Sequence, residues 1–124
     1  MSLPTAALRR AGGLLLDSLL PPRCLSCGVQ VGQQGALCPD CWKAAAFVEA
    51  PWCARCGLPF EIAAEPGAVC GACARKEPAY RLARAALRYD DGSRRLILGL
   101  KHGDRTDAAR PFAQWMARAG RDLL

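Results

Sequence analysis

Apolar positions recur at helical spacing at both ends of the chain, and lose that spacing in the middle. Over residues 5–20, Leu8, Leu15, Leu16 and Leu19 form a stripe, with Arg9, Arg10 and Asp17 off it. This predicts a short amphipathic helix, weakened by Gly12 and Gly13 and ended by Pro21-Pro22. Beyond Pro78, Ala85, Leu87 and Tyr89 alternate with Arg84, Ala86 and Arg88, as in a half-exposed strand, although Arg81, Arg84 and Arg88 would also share a helical face. Asp90-Asp91-Gly92 reads as a turn. Ser93 then caps a helix over Arg94–Lys101, with Leu96, Ile97 and Leu100 on one face. Thr106 caps a second helix from Asp107 to about Arg121, which buries Phe112, Trp115, Met116 and Ala119. Pro111 either kinks that helix or begins it.

The middle obeys a different rule. All eight cysteines fall between Cys24 and Cys73, in four CxxC pairs: Cys24/Cys27, Cys38/Cys41, Cys53/Cys56 and Cys70/Cys73. Ten, eleven and thirteen residues separate successive pairs. A CxxC turn aims two sulfurs at one point, and two such turns supply the four thiolates of a closed tetrahedral zinc site. Four turns predict two zinc ions. Sequential pairing is favoured, because each closed loop is short and short closures cost less entropy. The alternative is a cross-braced arrangement, with pairs one and three on one metal and pairs two and four on the other.

A disulfide scaffold would need an oxidising compartment. The N-terminus only faintly resembles a secretion signal: Asp17 interrupts its apolar run, and Pro21-Pro22-Arg23 stands where small residues would mark cleavage. A thioredoxin-type redox motif uses one pair beside a βαβ unit, not four in series. No apolar run reaches about eighteen residues, so no membrane span is expected.

Metal also answers a deficit of bulk. Only 6% of residues are aromatic, with nine prolines and twelve glycines. A segment of about fifty such residues cannot build an adequate core unaided. The two halves of the segment echo one another: Cys24-Leu-Ser-Cys27-Gly28 and Cys53-Ala-Arg-Cys56-Gly57 have the look of a duplication. In the first, Gln33-Gln34-Gly35 should turn between two short strands. Asp40 to Phe47 then looks helical, with Trp42 and Phe47 closing a small core. In the second, Pro66-Gly67 marks the turn, and Ala74–Lys76 forms one helical turn.

Charge is uneven. The formal net charge is +6, and two filled sites, each four thiolates and a dication, lower it to about +2. Residues 75–124 hold twelve basic and six acidic side chains, against five and five in residues 1–74. Arg81, Arg84, Arg88, Arg94, Arg95 and Lys101 are the candidates to track phosphates, with Trp52, Phe60 or Tyr89 to stack on bases. The competing reading is an ordinary solvated basic face. Lys101 serves as readily to neutralise a helix end, and His102 has no cysteine at ligand spacing. A redox- or zinc-sensing role is the third class, although closed four-thiolate sites are commonly inert.

The order of features resembles the ComF family, also met as the GntX-type proteins. The four CxxC pairs carry the likeness, with Pro22-Arg23-Cys24, Cys41-Trp42, Cys56-Gly57-Leu58-Pro59, Tyr89-Asp90 and Leu96 to Asp104. The resemblance implies a small metal-stabilised α+β chain: an N-terminal helix (1–22), a double zinc ribbon (23–77), and a strand and two helices opening a type I phosphoribosyltransferase-like α/β domain (78–124). It also implies cytoplasmic action in DNA uptake during natural transformation, with single-stranded DNA or uptake proteins as partners. The family's phosphoribosyl-pyrophosphate loop has no counterpart. Asp90-Asp91-Gly92-Ser93 imitates it, but the strand before it is arginine-rich and the turn is too short. The chain therefore reads as a truncated N-terminal portion lacking the C-terminal transferase domain, with no catalytic residue assigned. The alternative is a phosphoribosyltransferase fragment, active only with that missing part.

Overall fold

The computed structural model describes residues 19–124. The helix expected over residues 5–20 lies outside the described residues except for Leu19 and Leu20, which are both exposed. Four α-helices follow: α1 (Pro39–Ala44), α2 (Gly71–Arg75), α3 (Asp91–His102) and α4 (Ala109–Ala119). Single 3-10 turns occupy Thr106–Ala108 and Arg121–Leu123.

Among the described residues there is no strand, which corrects the expected α+β class. Three isolated antiparallel bridges take the place of a sheet: Arg23 with Gln30, Phe47 with Leu87, and Trp52 with Pro59. The alternating stretch before Tyr89 is thus extended at one pair only. Val48 N–H donates to the Ala86 carbonyl at 3.0 Å and Arg88 N–H to that of Ala46 at 2.8 Å. The pairing is confined because α1 ends just before it on one strand and α3 begins just after it on the other. On the far side, Pro51 has no N–H to extend the ladder.

Phe47 also leaves the helix expected for it. Helix α1 stops at Ala44, because the next backbone donors have partners elsewhere: Ala46 N–H reaches Ser93 Oγ at 3.0 Å and Val48 N–H reaches Ala86. Tertiary bonds override the propensity of the alanine run.

Helix α3 starts three residues earlier than its sequence suggested. Asp90, not Ser93, is the cap, its carboxylate accepting the Ser93 N–H at 2.9 Å. Thr106 does not cap α4 either. A 3-10 turn intervenes, and Pro111 then falls in the first turn of α4, where a missing N–H costs little.

The core joins the first cysteine unit to these helices. Leu25, from between Cys24 and Cys27, is buried with Leu96 of α3 and Ala108. Leu37, Leu87, Leu100, Phe112 and Trp115 pack around them. Full burial of a leucine such as Leu96 contributes about 1.5–3 kcal/mol. The aromatic rings continue the join. Trp42 and Phe47 have centroids 4.9 Å apart, Phe47 and Trp115 meet edge to face at 5.2 Å, and Phe112 lies 5.1 Å from Trp115. Met116, expected inside, is 64% exposed. Gly35 adopts φ +77°, and a Cβ there would lie 2.9 Å from Pro111 Cγ, so the loop of the first unit rests directly on α4.

Candidate metal centres

The two cysteine units repeat most of each other's backbone bonds. In the first knuckle Gly28 N–H donates to the Cys24 carbonyl at 3.0 Å; in the second, Gly57 does the same to Cys53 at 3.0 Å. Both glycines hold φ above +70°, the left-handed region that closes the turn. Cys24 N–H pairs with Val29 at 2.7 Å and Cys53 N–H with Leu58 at 2.8 Å. Leu25 N–H reaches across to Ala36, and Ala54 N–H to Ala68. The returning pairs each open a short helix whose first residue follows a cysteine, Cys38 before α1 and Cys70 before α2. The duplication legible in the sequence is therefore a duplication of backbone geometry.

These turns gather the sulfurs sequentially. Cys24, Cys27, Cys38 and Cys41 form one group, and Cys53, Cys56, Cys70 and Cys73 the other, with the sulfurs in each within 4.8 Å of one another. The cross-braced arrangement is not what the fold adopts. No disulfide joins the eight cysteines, whose sulfurs stand in these two groups of four.

The spacing suits zinc. A tetrahedron of Zn–S bonds of about 2.3 Å sets its sulfurs about 3.8 Å apart; Cys27 and Cys38 lie at 3.7 Å, as do Cys56 and Cys70. Backbone donors already face the sulfurs as they would thiolates: Cys38 N–H lies 3.3 Å from Cys24 Sγ, and Cys70 N–H 3.2 Å from Cys53 Sγ.

Electrostatics agree. Burial opposes ionisation of Cys24, yet the backbone N–H groups of Cys27, Cys38 and Ser26 outweigh it and bring the thiol down to about 6. Cys53 is likewise brought to about 6, against burial, by Cys56, Cys70 and Arg55. The last thiols to ionise move the other way. Burial, then neighbouring cysteines, push Cys41 up to about 12, where only Ser26 pulls against them, and the same pair of causes pushes Cys73 up to about 12. Four sulfurs this close cannot all carry charge without a cation among them. A dication would supply what each group lacks. With four protein ligands apiece, both sites are closed, which is the structural rather than the catalytic form.

Two four-cysteine groups on knuckle turns define a small zinc-binding module, and they fit two zinc ions. Residues 15–76 match the double zinc ribbon domain, and the chain belongs to that family. No curated protein and no solved structure matches it.

The sequence-predicted cations divide. Arg81, Arg88, Arg94, Arg95 and Lys101 are exposed, and none forms an ion pair with a described residue. Arg84 is enclosed instead, its side chain 8% exposed. It pairs with Asp122, donates to the Ala83 and Ala54 carbonyls at 2.8 and 3.3 Å, and lies 5.5 Å over the Trp52 ring. It is a clamp between the second unit and the C-terminal turn.

Lys101 and His102 close the exposed last turn of α3, where cations favour the helix dipole. The Asp90–Ser93 turn holds no phosphate cradle: a Cβ on Gly92 would lie 1.9 Å from the Ala44 carbonyl oxygen, so protein backbone fills that space. No described helix is long and apolar enough to cross a membrane.

Sequence reasoning missed the convergence of the tryptophans. Trp42 follows Cys41 and Trp52 precedes Cys53, and both face one groove with Trp115. Their places beside zinc ligands were the available signal.

Proposed function

We propose that the chain is a non-catalytic, zinc-held docking module of the ComF type, which binds single-stranded nucleic acid through cations displayed beyond its metal centres. On this reading residues 23–77 are the double ribbon and residues 78–124 open a phosphoribosyltransferase-like part. The reading includes a reducing, cytoplasmic setting, in keeping with eight thiols gathered for metal.

The observation that carries it is the release of five of the six candidate cations to solvent. Arg94 and Arg95 line a shallow depression on the outer side of α3 with His102 and Asp91. Arg81, Arg88 and Lys101 are exposed elsewhere on the same half of the chain. Closed four-thiolate centres leave no coordination position for substrate, so the metals hold shape rather than perform chemistry. Arg84 takes no part in phosphate contact.

Fluorescence anisotropy of a labelled oligonucleotide, titrated at several salt concentrations, tests the reading. Affinity should fall linearly with salt on logarithmic axes, with a slope of about −0.7 per phosphate neutralised on a single strand. Replacing Arg94 and Arg95 together by alanine should flatten that slope by about 1–2. No binding at low salt would end the proposal.

A further inference from the structure

The three tryptophans of the chain all line one groove of about 470 Å³, together with Phe47 and Arg118. In a protein only 6% aromatic, this concentration is not what random packing would produce. Trp42 is 54% exposed, so its ring is not consumed by the core. Its ring meets Phe47 at a tilt of 41°, and Phe47 in turn meets Trp115 edge to face, contacts that restrict the exposed ring.

The groove does not stop at Trp42. A second depression opens on the other side of the Trp42 and Trp115 rings, and its chemistry differs. Gln33, Gln34 and Gln114 line it with Arg110. One surface thus offers aromatic faces with Arg118 and Glu49, then carboxamides with Arg110 and Asp107.

We infer that this surface is a base-binding cleft, with Trp42 as the platform on which an unpaired nucleobase stacks. The inference rests on the nucleic-acid reading above but concerns a different face of the molecule. Stacking needs a flat, exposed and rigid ring. Carboxamides can donate to and accept from the edges of bases, which an apolar peptide would leave unused. Arg118 lines the first depression and Arg110 the second, and with Asp107 held by Arg105 only Glu49 opposes these two cations, a balance that favours the phosphates flanking a stacked base over an apolar occupant.

Zinc supports the rigidity. Trp42 is bonded to Cys41 of the first site, and Trp52 to Cys53 of the second. Each metal group therefore anchors one side of the cleft, so little freedom is lost when a strand binds.

The test uses the zinc-loaded full chain, tryptophan fluorescence and three probes: a short deoxythymidine oligonucleotide, an abasic deoxyribose-phosphate strand of the same length, and an uncharged proline-rich peptide. The oligonucleotide should quench fluorescence and the abasic strand should not. Trp42→Ala should weaken the oligonucleotide at least about fivefold, and Trp42→Phe should restore most of that loss. Arg94→Ala with Arg95→Ala should lower affinity for both strands while keeping the quench. If the oligonucleotide binds Trp42→Ala as well as the unaltered chain, the cleft is overturned and the nucleic-acid reading stands. If neither strand binds at low salt, both fall. Quenching by the peptide alone would reassign the cleft to a protein partner and overturn the inference.

Discussion

The Ala46 N–H donates to Ser93 Oγ at 3.0 Å, across forty-seven residues of sequence, and Ser93 is completely buried. One end of this bond follows the first metal unit; the other lies in the first turn of α3. The bond explains why α1 ends where it does and why a serine occupies an apolar junction. Ser93→Ala would leave the Ala46 donor without a partner, a loss of about 1–3 kcal/mol. Urea unfolding followed by circular dichroism should show the midpoint fall with an unchanged slope.

Two glycines of α3 should respond to the same substitution with opposite signs. At Gly92 a Cβ would meet the Ala44 carbonyl oxygen at 1.9 Å and its carbon at 2.9 Å, both backbone atoms that cannot swing aside. Gly92→Ala must pry α3 from α1 and should destabilise by more than about 1 kcal/mol. At Gly99 the nearest atoms are Arg105 Cγ at 3.8 Å and the Leu25 carbonyl at 3.9 Å, which is ordinary contact. Gly99→Ala should therefore stabilise, by up to about 1 kcal/mol from helix propensity. Thermal melts of the two variants make the comparison. A stabilised Gly92→Ala would show that α3 does not rest on Ala44.

What the sequence made legible follows from how local each cause is. Cys24 through Cys73 were readable because metal ligation fixes spacing within a few residues, and sequential pairing followed from the shortness of the loops. Leu96 and Leu100 were readable from helical period. Asp90 and Ser93 exchanged roles because a cap is local, whereas the demand on the serine hydroxyl comes from Ala46, far away in the chain. Phe47 and the stretch around Leu87 were misread for a related reason: a helical run and an alternating run were cut short by each other. Arg84 read as a surface cation because nothing nearby in sequence announces Trp52, Ala54 or Asp122.

The Arg84 clamp should be sensitive to shape as well as charge. Its planar fork serves two carbonyls and a carboxylate while stacking on an indole, a set that a lysine ammonium cannot match. Arg84→Ala should cost about 1–3 kcal/mol, less than a fully buried pair because Asp122 is 46% exposed and rehydrates. Arg84→Lys should recover only part of that, and Asp122→Asn should cost under about 1 kcal/mol. Equal stability of the alanine and lysine variants would mean that the fork geometry is irrelevant.

Metal removal should expose an inequality between two sites that look alike. Each zinc contributes roughly 10–16 kcal/mol of apparent binding energy, comparable to or larger than the whole stability of a domain this size. The first site, however, carries Leu25 into the core beneath Leu96 and Ala108, and its helix carries Trp42. The second touches the C-terminal half mainly through Gly57 against the Ala83 carbonyl, the Ala83 N–H bond to Arg55, and Arg84. Native mass spectrometry should find two zinc ions in the unaltered chain and one in each paired cysteine variant. In Cys53→Ala with Cys56→Ala, the near-ultraviolet signal of the Trp42–Phe47–Trp115 cluster should persist, since every ring in it lies on the first unit or α4. In Cys24→Ala with Cys27→Ala it should vanish, along with the cooperative melting of α3 and α4. Equal loss in the two variants would contradict a core built on the first site alone.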